Sequence, residues 1–328
     1  MLKMFAAIQN SVLQLLPARR RQSANGWLSF NAPCCHHRGH KPDSRGRGGI
    51  ITNSDGSISY HCFNCQFKTG YKPGQYLGYK FRRLLTWLGA DENTINRLVL
   101  EAVRSREYAG ISEPEPETVA IEFRARSLPD PVMLVDTDTT ALEYCQQRHI
   151  DLNKYPLLVT NRTEHNLNRR VIIPFTWNNQ LIGYTARTWD LAVRPKYHSQ
   201  YESNYVFNVD QQPRDGEFVI VCEGPFDAMS IDGVAVLSND CSEIQADIID
   251  TLNREVILVP DRDRAGQQLV KRALEFGWSV SFPIWAETCK DINEAVVRYG
   301  KLFVLKSILL ARETSRLKIE LLRKRWSN

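Results

Sequence analysis

Two short apolar segments that end in carboxylates constrain the fold of this chain more than any other feature. Residues 218–222 are followed by Glu223, and residues 256–259 are followed, after a proline, by Asp261 and Asp263. Short apolar runs that alternate with helix-like stretches are typical of buried strands in a parallel sheet. Such sheets bind ligands at the carboxyl ends of their strands. The pattern therefore predicts an α/β domain in which the three carboxylates meet at one edge.

This predicted meeting of carboxylates favours a divalent metal site. Neighbouring carboxylates repel one another unless a cation lies among them, and oxygen ligands with room for water and phosphate favour Mg²⁺. Such ions stabilise the charge that develops during phosphoryl transfer. A lone Glu-Gly turn or a lone Asp-x-Asp pair is usually structural. Both together at strand ends, 38 positions apart, indicate a catalytic metal site.

Residues 217–299 resemble the TOPRIM domain shared by bacterial-type primases, type IA and type II topoisomerases and some nucleases. The resemblance rests on the two acidic signals above and on the Lys-Asp-Ile-Asn-Glu segment at 290–294. It implies five site residues for Mg²⁺ (or Mn²⁺) and nucleotide: the acid/base or metal-linked Glu223, the metal ligands Asp261, Asp263 and Asp291, and the nucleotide-binding Asn293.

Cysteine and histidine residues near the N-terminus predict a second metal site. Zn²⁺ binds four such ligands in a tetrahedron, and pairs of ligands separated by two residues supply them from two tight knuckles. Cys62 and Cys65 form one such pair. For the other pair, the spacing favours Cys34 with His37, and Cys35 or His40 are the alternatives. Because few large apolar residues lie between the clusters, we expect metal binding to supply much of the folding free energy.

A zinc ribbon ahead of a TOPRIM domain resembles the DnaG-type primases, most closely the stand-alone primases of T-even-like bacteriophages. The Tyr-His-Cys-Phe-Asn-Cys stretch at 60–65 is similar to the second knuckle of that family. The first knuckle departs from the family pattern, because Ala32 stands where that pattern has its first cysteine.

A predicted β-hairpin lies between these two parts. Two apolar strands flank an Asn-Asn turn within residues 168–187, and Pro-Lys-Tyr follows at 195–197. This segment resembles the basic half of the DnaG polymerase core. The resemblance implies that Arg170, Arg187 and Lys196 face nucleoside triphosphates and template, with Arg187 and Lys196 among the catalytic residues. Arginine suits this role because its guanidinium binds phosphate in a bidentate manner.

The predicted fold class is α/β, with an N-terminal zinc ribbon and a DnaG-like RNA polymerase core that contains a TOPRIM parallel-sheet subdomain. The predicted domains are an N-terminal helix and zinc ribbon (1–72), a helical segment and linker (73–130), the basic N-terminal half of the polymerase core (131–214), the TOPRIM domain (215–300) and a basic C-terminal helical tail (301–328).

The charge distribution suits a metal-dependent site that acts on nucleic acid. Residues 1–109 carry 16 Lys and Arg against 6 Asp and Glu, and residues 301–328 carry 8 against 2. Both ends therefore suit a polyanion. Residues 110–300 carry 18 Lys and Arg against 29 Asp and Glu and would repel nucleic acid unless metal ions neutralise them.

Together these features predict a DNA primase that joins ribonucleoside triphosphates on a single-stranded DNA template, with Zn²⁺ and Mg²⁺ (or Mn²⁺) as cofactors. Because no P-loop motif is present, a separate replicative helicase is expected as partner. No apolar run reaches the length of a membrane span, so we expect no membrane partner and a cytoplasmic protein, in a bacterial host if phage-encoded. The alternatives are a TOPRIM nuclease and a non-catalytic zinc-ribbon protein that binds single-stranded DNA.

Overall fold

The computed structural model describes residues 2–109, 122–129, 132–161, 167–190, 192–213, 216–286 and 288–326. The chain divides into two compact units. The first comprises Met1–Glu117, Asn253–Glu255 and Leu274–Gly277, and the second comprises Thr118–Leu252, Val256–Ala273 and Trp278–Asn328. The part of the predicted linker at 110–121 lies outside the described residues. Within the described ranges, every helix is too short or too polar to cross a membrane.

The first unit contains a five-stranded antiparallel sheet in which each strand pairs with the next along the chain. Its strands are β1 (Arg21–Gln22), β2 (Leu28–Phe30), β3 (Gly48–Thr52), β4 (Ile58–Cys62) and β5 (Lys68–Tyr71). Its helices are α1 (Leu2–Leu15), α2 (Cys34–His37), α3 (Tyr79–Trp87) and α4 (Glu92–Ala109). Cys34 and Cys35 therefore lie at the start of α2, whereas Cys62 ends β4 and Cys65 follows it.

The apolar core of the first unit extends beyond the cysteine-bearing sheet. Ile8 and Val12 of α1 and Leu84 and Leu85 of α3 are buried in the same cluster as Tyr60 of β4. Burial of each aliphatic side chain of this size stabilises a fold by roughly 1.5–3 kcal/mol. The helices thus add apolar contacts to those made by the few buried residues between the cysteine clusters.

The second unit contains an antiparallel sheet with the strand order β10-β9-β8-β7-β6. These strands are β6 (Met133–Leu134), β7 (Leu158–Val159), β8 (Arg170–Trp177), β9 (Gln180–Thr188) and β10 (Tyr197–Gln200), and α5 (Thr139–Gln147) lies between β6 and β7 in the chain. Asn178 and Asn179 join β8 to β9 with φ angles of 51° and 63°. Positive φ at both central residues is what a two-residue hairpin turn of type I′ needs, and asparagine adopts it at little cost.

A mixed sheet with the order β12-β11-β13-β14-β15 completes the second unit. Its strands are β11 (Phe218–Cys222), β12 (Val234–Ala235), β13 (Glu255–Leu258), β14 (Ser279–Ser281) and β15 (Arg312–Glu313). The helices are α6 (Pro225–Ile231), α7 (Glu243–Asp250), α8 (Arg264–Phe276), α9 (Ile292–Tyr299), α10 (Lys301–Leu310) and α11 (Arg316–Trp326).

This sheet confirms the predicted α/β class and refines it. The pairs β11–β12 and β13–β14 are parallel, but the edge strand β15 runs antiparallel to β14. The two strands that end in carboxylates, β11 and β13, are direct neighbours. Their carboxyl ends therefore bring the acidic residues of distant sequence segments to one place.

Candidate active site and metal centre

Glu223 is the first acidic side chain of the site and follows β11 directly. Its Oε1 atom is buried and has no hydrogen-bond partner among the described residues. Burial, followed by the negative charge of Asp263, raises the pKa of Glu223 to about 7. A hydrogen bond from the Asp261 backbone partly offsets this rise, because it stabilises the ionised carboxylate. A buried carboxylate oxygen without a partner is costly. Binding of a proton or a cation would remove that cost.

Asp227 lies next to Glu223 on the first turn of α6, and sequence reasoning missed it. The backbone N–H of Asn293 donates to Asp227 Oδ1, with the N and O atoms 2.9 Å apart. Burial, and then the charge of Asp291, raise the pKa of Asp227. A Cβ atom at Gly224 would lie 2.9 Å from Asp227 Oδ2, so glycine is needed where the carboxylate approaches the turn.

Asp261 follows β13 and belongs to the same cluster of charges. Burial, and then the charges of Asp227 and Glu223, raise the pKa of its carboxyl group. Gly266 allows the start of α8 to approach this turn, because a Cβ atom there would overlap the Asp261 backbone carbonyl. The second aspartate of the pair, Asp263, differs: it is exposed and its Oδ1 accepts a hydrogen bond from the Gly266 N–H at 2.9 Å.

Asp291 and Asn293 enter the site from the start of α9. Asp291 caps this helix, since its Oδ1 accepts a hydrogen bond from the Glu294 N–H at 2.7 Å, and burial raises its pKa. Asn293 is 2% exposed and donates from Nδ2 to the Arg148 carbonyl and to Ser230 Oγ. Asn293 thus uses its amide to hold its neighbours in place, and it also lines the cleft described below.

A cleft of about 410 Å³ is lined by these carboxylates together with three cations. Its charged lining comprises Glu223, Asp227, Asp261 and Asp291 and the basic side chains of Arg148, Arg187 and Lys196. Asp263 is not among the described residues that line the cleft. Burial, and then the charges of Arg187 and Arg148, lower the pKa of Lys196. An anion between these cations would relieve their repulsion.

Arg148 was not predicted from the sequence, yet it is the most firmly held cation of the cleft. Its guanidinium carbon lies 4.9 Å from the Tyr144 ring centroid and 5.0 Å from that of Phe226. Its Nη1 donates to Asn293 Oδ1 at 2.7 Å. Only the tertiary fold brings this arginine, at the end of α5, to α6 and α9, so no local signal could have identified it. Asp227, in contrast, lies in the same Glu-Gly-Pro-Phe-Asp segment as Glu223 and could have been included.

Arg170 requires a correction. It was expected to face nucleotide, but its side chain is completely buried and does not line the cleft within the described part of the chain. Its guanidinium donates to the carbonyls of Pro195 at 2.6 Å, Lys196 at 3.1 Å and Ala186 at 3.4 Å. Because Arg170 starts β8 inside the sheet, its side chain extends under the β9–β10 connection and fixes the backbone of Lys196.

Arg187 and Lys196 do reach the cleft. Arg187 stacks on the Tyr197 ring with its guanidinium carbon 4.7 Å from the ring centroid. This residue pairs with Tyr197 across β9 and β10, so the register of the two strands sets the stack. Stacking limits the conformations of the guanidinium while leaving its N–H groups available.

The carboxylates fit an open site for a hard cation. Among the described residues, the group found to bring three or more potential metal ligands together is the cluster of four cysteines discussed below, and not these carboxylates. Mg²⁺ keeps several waters and is usually bound by one or two carboxylates together with substrate phosphate. The unpartnered oxygen of Glu223 and the raised pKa values of Asp227, Asp261 and Asp291 are consistent with such an ion.

The first unit holds a separate cluster of four buried thiols: Cys34, Cys35, Cys62 and Cys65, whose sulfur atoms lie within 4.8 Å of one another. Two of the distances, Cys34 to Cys65 and Cys35 to Cys62, are 3.4 Å and 3.5 Å. Four thiolates around Zn²⁺ at about 2.3 Å would be about 3.8 Å apart. The Asn64 amide donates to Cys35 Sγ at 3.3 Å, as outer-sphere groups do at metal sites.

His37 and His40, proposed as possible ligands, lie apart from this cluster. His37 is exposed and stacks on Trp87, with ring centroids 5.1 Å apart and an interplanar angle of 8°. His40 is exposed and contributes its backbone N–H to the Cys35 carbonyl. Because Cys34 and Cys35 open the short helix α2, both thiols reach the centre. The structure therefore groups Cys35, rather than His37, with Cys34.

Comparison with known proteins agrees with the acidic half of the site. Residues 220–296 match a family described as Toprim-like. That range contains Glu223, Asp227, Asp261, Asp263 and Asp291. No match is found among curated proteins.

Several solved structures are similar to this chain. The zinc-binding and RNA polymerase domains of the Aquifex aeolicus primase share 17% identity over 99% of this chain and 90% of that chain, with a TM-score of 0.48. A DnaG catalytic core shares 18% identity over 53% and 73% (TM-score 0.45). A DnaG primase catalytic domain bound to single-stranded DNA shares 18% over 53% and 72% (TM-score 0.44).

Proposed function

We propose that the chain is a DNA primase that joins ribonucleoside triphosphates on single-stranded DNA. The observation that carries the proposal is the cleft of the second unit, which is lined both by acidic residues of the Toprim-like segment and by Arg148, Arg187 and Lys196. Nucleotide transfer requires a place for divalent cations beside a place for phosphate anions. The acidic and basic residues that line this cleft would supply both.

The residues of the cleft have distinct proposed roles. Divalent cations, Mg²⁺ or Mn²⁺, would stabilise the charge that develops on the transferred phosphate. Asp261, Asp291 and Asp227 would bind them, with Asp263 beside them at the start of α8. Glu223, whose pKa lies near 7, would bind a cation or accept a proton from the attacking hydroxyl.

The cations that line the cleft would hold the phosphates. Arg187 and Arg148 each have a guanidinium fixed against aromatic rings, and Lys196 adds a point charge from the connection between β9 and β10. Fixed guanidinium groups suit bidentate binding of phosphate oxygens. Arg170 and Asn293 would position these groups without touching substrate.

The first unit would bind Zn²⁺ through its four cysteines and hold the template strand. Phe63 is 64% exposed on the second knuckle, and the ring of His61 lies 4.4 Å from it. Exposed aromatic rings among basic residues bind single strands by base stacking and charge. Three further points stay predictions. They are the separate replicative helicase as partner, the bacterial cytoplasm as the place of action, and the relationship to stand-alone T-even-like phage primases.

The test is RNA synthesis by the full-length protein on single-stranded DNA with labelled ribonucleotides and Mg²⁺. We expect short RNA from wild type and a loss of about 100-fold or more for Asp261→Ala and Arg187→Ala. Arg169→Ala is the matched control, because Arg169 is exposed and paired with Asp190 outside the cleft. It should keep wild-type activity.

Other products would identify the alternatives. Cleaved DNA without RNA would show a Toprim-like nuclease. Zinc-dependent binding of single-stranded DNA without any product, even with a replicative helicase added, would show a non-catalytic binding protein.

A further inference from the structure

Arg262 lies between the two aspartates of the Asp-Arg-Asp turn, yet it points away from the cleft and binds backbone. Its Nη1 donates to the Ala286 carbonyl at 3.1 Å, and its Nη2 donates to the carbonyls of Pro283 and Trp285 at 3.3 Å and 3.2 Å. Its own backbone N–H donates to the Lys290 carbonyl at 2.9 Å. One residue thus ties the Asp261 turn to the connection between β14 and α9.

That connection ends at Asp291, so the contacts of Arg262 set where a second carboxylate of the cleft lies. Lys290, whose carbonyl Arg262 holds, immediately precedes Asp291. Asp261 and Asp291 line one cleft and repel each other while no cation is bound. The backbone bond to Lys290 does not depend on the arginine side chain. The guanidinium adds three bonds that anchor the connection leading to Asp291 at the Asp261 turn, and these oppose the repulsion.

The last described residue of α11 covers this arginine. The guanidinium carbon of Arg262 lies 4.3 Å from the ring centroid of Trp326, whose indole also packs on Phe282 at 5.5 Å. Stacking of an arginine on tryptophan is favourable in itself. The three hydrogen bonds of the guanidinium are part-buried, and hydrogen bonds are stronger where water is less accessible.

We propose that Arg262 and Trp326 form a positioning pair that fixes the spacing of Asp261 and Asp291, so that the C-terminal helix α11 supports the divalent-cation site. Neither residue touches substrate. The inference rests on the proposed use of a divalent cation in this cleft. It assigns to the basic C-terminal segment a role in catalysis that its sequence does not indicate.

The test is direct binding of Mn²⁺ to full-length, zinc-loaded protein, measured by titration calorimetry or electron paramagnetic resonance. Any Mn²⁺ binding that remains in the Asp261→Ala variant is subtracted as binding outside the cleft site. We expect Arg262→Ala and Trp326→Ala each to weaken the cleft site by about tenfold, the lower end of the range for groups that orient metal ligands. The double variant should be no weaker than either single variant, because the two residues act as one unit.

Two milder variants separate positioning from unfolding. Trp326→Phe keeps an aromatic ring over the guanidinium and should bind Mn²⁺ nearly as tightly as wild type does. Arg262→Lys keeps the positive charge but loses the two guanidinium nitrogens that bind the three carbonyls, so its Mn²⁺ affinity should resemble that of Arg262→Ala. Leu321→Ala, on the exposed side of α11 with 54% of the residue accessible, is the control. Thermal unfolding reports the folded fraction of each variant.

Wild-type affinity in both alanine variants, additive effects in the double variant, or losses that only follow the folded fraction would each overturn the proposal. Absence of Mn²⁺ binding by wild type would overturn it together with the metal-dependent function. Mn²⁺ binding that depends on Arg262 and Trp326, without RNA synthesis by wild type, would support the positioning pair and reject the primase.

Discussion

The backbone N–H of Asn293 donates to the carboxylate of Asp227, and this single bond joins the first turn of α9 to the first turn of α6. The same asparagine binds the side chain of Arg148 through its Oδ1 atom. A carboxylate and a cation of the cleft are therefore fixed by one asparagine. The spacing of Asp227 and Arg148 is set by these backbone and side-chain hydrogen bonds.

This geometry predicts that Asp227→Asn will make the protein more stable but less active. The asparagine Oδ1 can still accept the Asn293 hydrogen bond, while the negative charge that repels Asp291 is lost. We expect the free energy of unfolding at pH 8, without added divalent cation, to rise by about 1 kcal/mol. We expect RNA synthesis to fall by about 10–100-fold. Chemical denaturation and the primer assay measure the two effects on the same preparation, and equal losses in both would contradict the prediction.

Glu223 predicts a pH dependence of stability. Its pKa in the folded protein is about 7, above the ordinary value of 4.5, so the folded state holds the proton more tightly than the unfolded state. The stabilisation is complete below about pH 4.5 and is lost as the pH rises through about 7. Between pH 6 and pH 8, without added divalent cation, the free energy of unfolding should fall by about 1.4 kcal/mol from this group.

Glu223→Gln supplies the comparison for this pH effect. The amide does not titrate, so the variant should show a shallower fall between pH 6 and pH 8 in parallel denaturant titrations. Added Mg²⁺ should also reduce the fall in wild type, because the cation replaces the proton. Identical pH slopes for wild type and Glu223→Gln would show that Glu223 does not titrate in this range.

The sequence predicts those parts of the site that depend on local pattern. Apolar runs followed by carboxylates locate β11 and β13, and neighbouring strands then bring Glu223 and Asp261 together. The Asn-Asn turn likewise indicates the β8–β9 hairpin. Arg148 follows no such pattern, because its position depends on how α5 packs beside α6. Nor does any local signal show that Arg262 points outward to carbonyl groups and Trp326.

The cysteine cluster illustrates the same limit. Spacing alone favoured Cys34 with His37, since two intervening residues are usual for a knuckle. The short helix α2 changes which side chains converge, and His37 instead stacks on Trp87 of α3. A contact between residues 50 positions apart cannot be read from ligand spacing.

Zinc content distinguishes these two ligand sets. Cys35→Ser should lose the metal, since one of four thiolates is removed, and His37→Ala should retain one zinc ion per chain after dialysis. Elemental analysis of the purified full-length proteins measures both. Loss of zinc in His37→Ala with retention in Cys35→Ser would restore the histidine as ligand. Because α1 and α3 supply part of the core, we expect Cys35→Ser to keep some helical circular dichroism.

Replacing Arg170, which is buried, should cost more stability than replacing the neighbouring surface residue Arg169. Arg170→Met keeps most of the side-chain volume but leaves the Pro195 carbonyl without its Arg170 donor and removes one of the two donors to the Lys196 carbonyl, which should cost about 2–4 kcal/mol of stability. The neighbouring Arg169 forms an exposed ion pair with Asp190, so Arg169→Met should cost less than about 1 kcal/mol. Among folded molecules, Arg170→Met should mainly raise the KM for ribonucleotides, since Lys196 keeps its charge but loses one of the two hydrogen bonds that fix its carbonyl. A lower kcat with unchanged KM would indicate that Arg170 contacts the reacting phosphate after all.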